Sequence, residues 1–100
     1  PSVTKVGGVT EFLKVAQIAK QRGKRLAPHS PYFGPGYWAT LQLAAADETI
    51  ASFEYLFLQG AADCGLALPR PVNGRIAIPD APGTGFAPDM DVIARYMTTG

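Results

Sequence analysis

The chain has a single cysteine, Cys64, and a single histidine, His29, in 100 residues. A lone cysteine closes no internal disulfide. That excludes the disulfide-stapled secreted scaffolds and makes a reducing, cytoplasmic setting the default reading. Charge is equally sparse. Nine basic and eight acidic residues leave a formal net charge of +1, so no basic field favours nucleic acid or an acidic membrane surface. No apolar stretch reaches the length needed to span a bilayer. The opening residues carry no signal-peptide pattern, and no segment is of low complexity.

What remains is a core-building composition: 47% hydrophobic against 17% charged residues describe a globular chain, not a disordered one. One hundred residues suit one small domain or part of a larger one. The chain starts at Pro1, without a methionine, and enters the apolar stretch Val3 to Val6 almost at once. It reads as the C-terminal part of a longer polypeptide, because three parallel strands with both faces apolar would expose too much surface alone.

The β-branched run Ser2 to Val6 predicts a strand, broken by Gly7-Gly8. Thr10 is a candidate cap for a following helix, with Glu11 favoured in its first turn. Val9, Phe12, Leu13, Ala16 and Ala19 recur at helical spacing, Val15 and Ile18 widen the stripe, and Gly23 suits the stop. Lys24 to Pro28 predicts a second strand, ended by His29. Ser30 to Gly36 is a rigid loop rich in proline and glycine. Tyr37 to Ala46 is an alanine-rich, nearly apolar helix, hence a buried one. Asp47 and Glu48 open a turn, and Ile50 to Leu58 predicts a third strand with Glu54 in its outer half. The order β-α-β-α-β predicts an α/β fold with a parallel sheet.

Residues 61–100 do not continue this repeat. Leu66 to Arg75 is loop-like, Arg75 to Pro79 a short strand, and Asp80 to Gly85 a tight turn. Asp89 can cap a last helix carrying Met90, Ile93, Ala94 and Met97. Two regions follow: 1–60, the βα units, and 61–100, a segment expected to pack against a part of the protein outside this chain.

Consecutive parallel strands joined by right-handed crossovers point the same way, so their C-terminal ends share one rim. That rim is where α/β folds place chemistry. His29 and Glu54 are both delivered there. The near-equal spacing of Ser2, His29 and Glu54 fits a repeating βα unit. Among the other conspicuous residues, Lys20, Arg22, Lys24 and Arg25 read as a solvated helix end. Gly7-Gly8 lacks the spacing of a dinucleotide fingerprint and reads as a tight βα turn. Phe33, Tyr37 and Trp38 read as packing under the loop, and Cys64 as inert.

In their order and spacing, TKVGGVTEFLKVAQIAKQRG, APH, ATLQLAAA, FEY and GRIAIPDAPGTGF, with Asp89 and Tyr96, resemble the end of the enolase superfamily. The type is that of mandelate racemase and muconate lactonizing enzyme. The nearest resemblance is to the mandelate racemase subgroup, which includes the acid-sugar dehydratases. It implies a modified TIM barrel with a separate capping domain. Residues 1–58 would supply the sixth, seventh and eighth strands, and the tail would return to the capping domain. It further implies one Mg²⁺ held by three carboxylates from earlier strands, none of them in this chain. The substrate would be a small carboxylate whose neighbouring proton is removed to give an enediolate, with Mg²⁺ as Lewis acid. The partners implied are the rest of the barrel, the capping domain and further copies of the same chain, with neither nucleic acid nor membrane.

Residue by residue, the resemblance makes His29 the general base or acid. Glu54 becomes a protonated carboxylic acid that donates a hydrogen bond to the substrate carboxylate, which needs a raised pKa. Ser2 stands where the family usually has an aspartate paired with the histidine, or a lysine in the cycloisomerase branch. Lys5 is not a substitute for that aspartate. Serine can orient the imidazole of His29 but supplies no negative charge, so a lysine from a strand outside this chain is the alternative base. Ser2, Ser30 and Tyr32 are the candidates for substrate contact. The implied activity is dehydration of a sugar acid or related hydroxy acid. The alternatives are a racemase or epimerase of the same superfamily, and a non-catalytic binding or structural relative.

Overall fold

The computed structural model describes residues 1–31, 33–56 and 68–98. Among them are four helices: α1 (Val3–Val6), α2 (Val9–Gln21), α3 (Pro35–Ala46) and α4 (Met90–Tyr96). No helix among the described residues is long and apolar enough to cross a membrane.

The expected strand at Ser2 to Val6 is instead the single helical turn α1. Its backbone bonds are local: Lys5 and Val6 N–H both donate to the Ser2 carbonyl, at 3.1 and 2.9 Å. A β-branched run extends only where a neighbouring strand receives its backbone groups, because strand propensity follows context. Gly7, in the left-handed region at φ 108°, ends the turn.

The N-cap of α2 is Gly8, not Thr10. It stops as expected around Gly23, whose φ is 61°. Gly23 N–H donates to Lys20 O at 3.0 Å and Lys24 N–H to Ala19 O at 2.8 Å, the two crossed bonds of a Schellman end. Phe12, Ala16 and Ala19 form the buried face, while Val9, Leu13 and Ile18 of the predicted stripe are exposed. α3 begins at Pro35, two residues ahead of the prediction. A proline there loses no helical bond, because the first N–H groups have no partner. It buries Tyr37, Thr40, Leu41 and Leu43. The core joins Val3, Phe12 and Leu43, with Val6 and Ile50 packed against them.

The second and third predicted strands meet in one parallel bridge between Leu26 and Ile50. Leu26 N–H donates to Thr49 O, and Ala51 N–H to Leu26 O, both at 2.8 Å. No longer ladder forms among the described residues. Pro28 has no N–H with which to extend it. Phe57 and Leu58, the predicted end of the third strand, lie outside the described residues.

The predicted loop and strand at 66–79 are replaced, over the described part, by a two-residue hairpin. Val72 and Arg75 exchange both backbone bonds, at 2.7 and 3.0 Å. Asn73 and Gly74 sit at φ 50° and 74°, the left-handed pair that matches strand twist in such turns. Leu66 and Cys64 lie outside the described residues. The turn at 80–85 forms as expected, closed by Gly85 N–H on Pro82 O at 3.2 Å. It docks on α3, where Gln42 Nε2 donates to Pro79 O and Thr84 O at 3.4 and 3.3 Å. Asp89 caps α4 as expected, accepting from the N–H groups of Asp91 and Val92 at 3.1 and 3.0 Å. Met97 lies just past the helix end.

Phe12 is fully buried in this core. Phe12→Ala in the full-length protein should lower unfolding stability by about 3–5 kcal/mol in urea titration.

Candidate active site

The parallel bridge aims both runs the same way. His29 lies three residues beyond Leu26, and Glu54 four beyond its bridge partner Ile50. The two side chains meet: His29 Nδ1 lies 3.1 Å from Glu54 Oε2. Both remain about half exposed, at 51% and 48%, so the pair is open to a ligand.

Main-chain bonds fix each residue. His29 N–H donates to Pro1 O at 2.9 Å. Ser30, fully buried, reaches Glu54 twice: its hydroxyl donates to the Glu54 carbonyl at 2.8 Å, and its N–H to Oε2 at 3.3 Å. Behind Glu54, Phe53 and Tyr55 both turn to the ring of Tyr37 from α3. The centroid distances are 5.2 and 6.4 Å, in edge arrangements. The Tyr37 hydroxyl donates to Pro69 O at 3.3 Å. Burial, with Tyr55 second, pushes the Tyr37 pKa up to about 12. Tyr37 is thus a neutral aromatic wedge behind the carboxylate.

The other candidates are placed as follows. Ser2 is buried, its hydroxyl 3.0 Å from Thr4 Oγ1. It adjoins Pro1, whose carbonyl holds His29. Tyr32 lies outside the described residues. Trp38 packs on Phe86 with centroids 6.2 Å apart, joining the tail turn to α3. Lys20, Arg22, Lys24 and Arg25 are all exposed, and Lys20 pairs with Glu48 at 3.3 Å. Two grooves flank α3. One of about 530 Å³ is lined by Leu41, Ile50, Phe53 and Ile78; the other, of about 390 Å³, by Val9, Leu13 and Leu43. Neither is lined by His29 or Glu54.

Two supports go beyond what the sequence signals. Tyr37, a packing residue by sequence, also backs the run that carries Glu54. The double bond from Ser30 to Glu54 joins residues far apart in sequence; a small hydroxyl residue between Pro28 and Pro31, next to the histidine, was the available signal.

Residues 1–92 match the enolase C-terminal domain-like family, and the chain belongs to it. The class is α/β, to which the helices and the parallel Leu26–Ile50 bridge correspond. Over 102 residues the chain is 30% identical to D-xylonate dehydratase of Haloferax volcanii, with 100% of the chain and 25% of that protein covered. The chain thus spans about a quarter of the length of this curated relative. No solved structure matches the chain significantly.

Among the described residues no three His, Cys, Asp or Glu side chains cluster as metal ligands. The described residues alone thus supply no three-ligand metal set. What the pair can do alone is move a proton: an imidazole in contact with a carboxylate accepts one and is stabilised once charged.

The raised Tyr37 pKa has a measurable consequence. A folded-state value above the unfolded one leaves full stability below about pH 10, lost progressively as pH rises toward about 12. Tyr37→Phe should flatten this alkaline decline in thermal melts, while costing about 1 kcal/mol at neutral pH through the lost bond to Pro69.

Proposed function

We propose that this chain is the C-terminal part of a TIM-barrel enzyme that removes the proton beside the carboxylate of a small acid. The favoured reaction is dehydration of a sugar acid or related hydroxy acid. The observation that carries the reading is the 3.1 Å contact between His29 and Glu54, at the ends of two runs paired in parallel. The kinship with D-xylonate dehydratase favours dehydration over racemisation.

The chemistry assigned to this chain is proton handling. His29 takes the proton from the carbon next to the carboxylate. The hydroxyl on the following carbon then leaves as water, with a proton returned by the imidazolium, and the resulting enol becomes the 2-keto acid. The carbon loses a proton and its neighbour a hydroxide, which together make the water released. Mg²⁺, when bound, supplies Lewis acidity toward the substrate carboxylate, on ligands from outside this chain.

The test uses the full-length enzyme with D-xylonate and related sugar acids. A positioned general base contributes about 10²- to 10⁴-fold. His29→Asn should therefore lower kcat by that factor and leave Mg²⁺ binding, read by calorimetry, unchanged. Near-wild-type turnover in His29→Asn would hand the base role to a residue outside this chain.

A further inference from the structure

We propose that Ser30 is the positioning residue for Glu54: it fixes Oε2 as the accepting oxygen of the carboxyl group, so that Oε1 is the oxygen presented to the substrate carboxylate. This assignment deepens the proposed function and rests on the reading of the His29–Glu54 rim as the reacting site. It agrees with the role that the resemblance implies for Glu54, an acid that donates a hydrogen bond to the substrate.

Ser30 holds Glu54 through both of its donors. Its hydroxyl donates to the Glu54 carbonyl at 2.8 Å, and its N–H to Oε2 at 3.3 Å. A second carbonyl, that of Pro28, lies 3.5 Å from the hydroxyl, too far to compete. Ser30 is fully buried, and a hydroxyl without an acceptor would be costly there. The short bond therefore clamps the main chain of Glu54, and the longer one sets the rotation of its side chain. Pro31 confines Ser30 to extended backbone, which presets the direction of its N–H.

The chemistry follows from which oxygen is engaged. A carboxylic acid has one oxygen that only accepts and one that carries the proton. An oxygen that receives an N–H is the accepting one. With Oε2 so engaged, the proton of the acid belongs on Oε1, and Oε1 is the donor toward the substrate. Without Ser30 the two oxygens would exchange by a half turn of the terminal torsion, which has no sharp preference of its own. The N–H concerned belongs to the peptide that joins His29 to Ser30. The N–H on the other side of His29 is held by the Pro1 carbonyl at 2.9 Å. One peptide thus ties the proton-handling ring to the acid, and the spacing of the two groups is set in the backbone. Ser30, a candidate for substrate contact by sequence, has its hydroxyl committed to Glu54 instead.

The test is a double-mutant cycle between Ser30 and Glu54 in the full-length enzyme acting on D-xylonate. Ser30→Ala removes the hydroxyl clamp and with it the alignment of the N–H. It should lower kcat about 10- to 10²-fold, the order expected of a misplaced reacting group, with KM little changed, since the loss falls in the transition state. Ser30→Cys, which keeps a weak donor of similar size, should retain more of kcat than Ser30→Ala. In a Glu54→Ala background, adding Ser30→Ala should cost no further kcat. A merely structural serine would multiply the two losses. A second readout needs no turnover and does not involve His29 chemistry, so failure of the base assignment and failure of this one are told apart. In ¹⁵N-serine-labelled protein, with the Ser30→Ala spectrum assigning the signal, Glu54→Ala should accelerate deuterium exchange of the Ser30 amide about 10-fold, as for one lost hydrogen bond. Circular dichroism establishes that each variant is folded. Multiplicative losses in the cycle, or a Ser30 amide indifferent to Glu54→Ala, overturn the proposal.

Discussion

Two backbone hydrogen bonds of 2.8 Å, on either side of Leu26, set the register of the run ending at His29 against the run carrying Glu54. Everything proposed for this chain depends on that register. Beyond the Leu26–Ile50 bridge the runs bring Glu54 to Ser30 and to the imidazole of His29, so a slip of one residue would break those contacts. The turn before Ile50 helps to hold the register. Asp47 Oδ1 accepts from the N–H and hydroxyl of Thr49 at 2.8 and 2.7 Å. Those bonds, the hydroxyl first, lower the Asp47 pKa. The stabilisation from this turn is thus present above the ordinary carboxylate range and is lost on acidification through the lowered pKa.

Around that register the site is built from supports of unlike chemistry. Ser30 holds Glu54 from the His29 side with directional bonds. Tyr37 backs the same run with aromatic contact and a single bond to Pro69. The first resists rotation of the carboxylate, and the second fills the space behind it. α3 links this arrangement to the tail, since Gln42 and Trp38 on the same helix receive the turn at 80–85 and Phe86.

The meeting of His29 and Glu54 was legible in the sequence because it needs only two apolar runs, a helix between them and the parallel sense that such a crossover imposes. α2, α3 and α4 were legible for local reasons: apolar residues at helical spacing, Gly23 at a left-handed stop, Asp89 with free N–H groups to cap. Ser2 to Val6 was misread because its valines and threonine favour a strand only where a partner strand stands beside them. The hairpin at Asn73-Gly74 was missed although that dipeptide is a strong short-range turn signal. The double contact from Ser30 to Glu54 had no local signature, since only the folded register brings those residues together.

The central claim is that His29, beside Glu54 at the same end of the two paired runs, takes the proton beside the substrate carboxylate. The most direct measurement is the release of deuterium into water from D-xylonate labelled at that carbon, by the full-length enzyme and its His29→Asn and Glu54→Gln variants. The account predicts release by the wild type, a loss of about 10²-fold or more in His29→Asn, and a substantial loss in Glu54→Gln. Undiminished release from His29→Asn would contradict it.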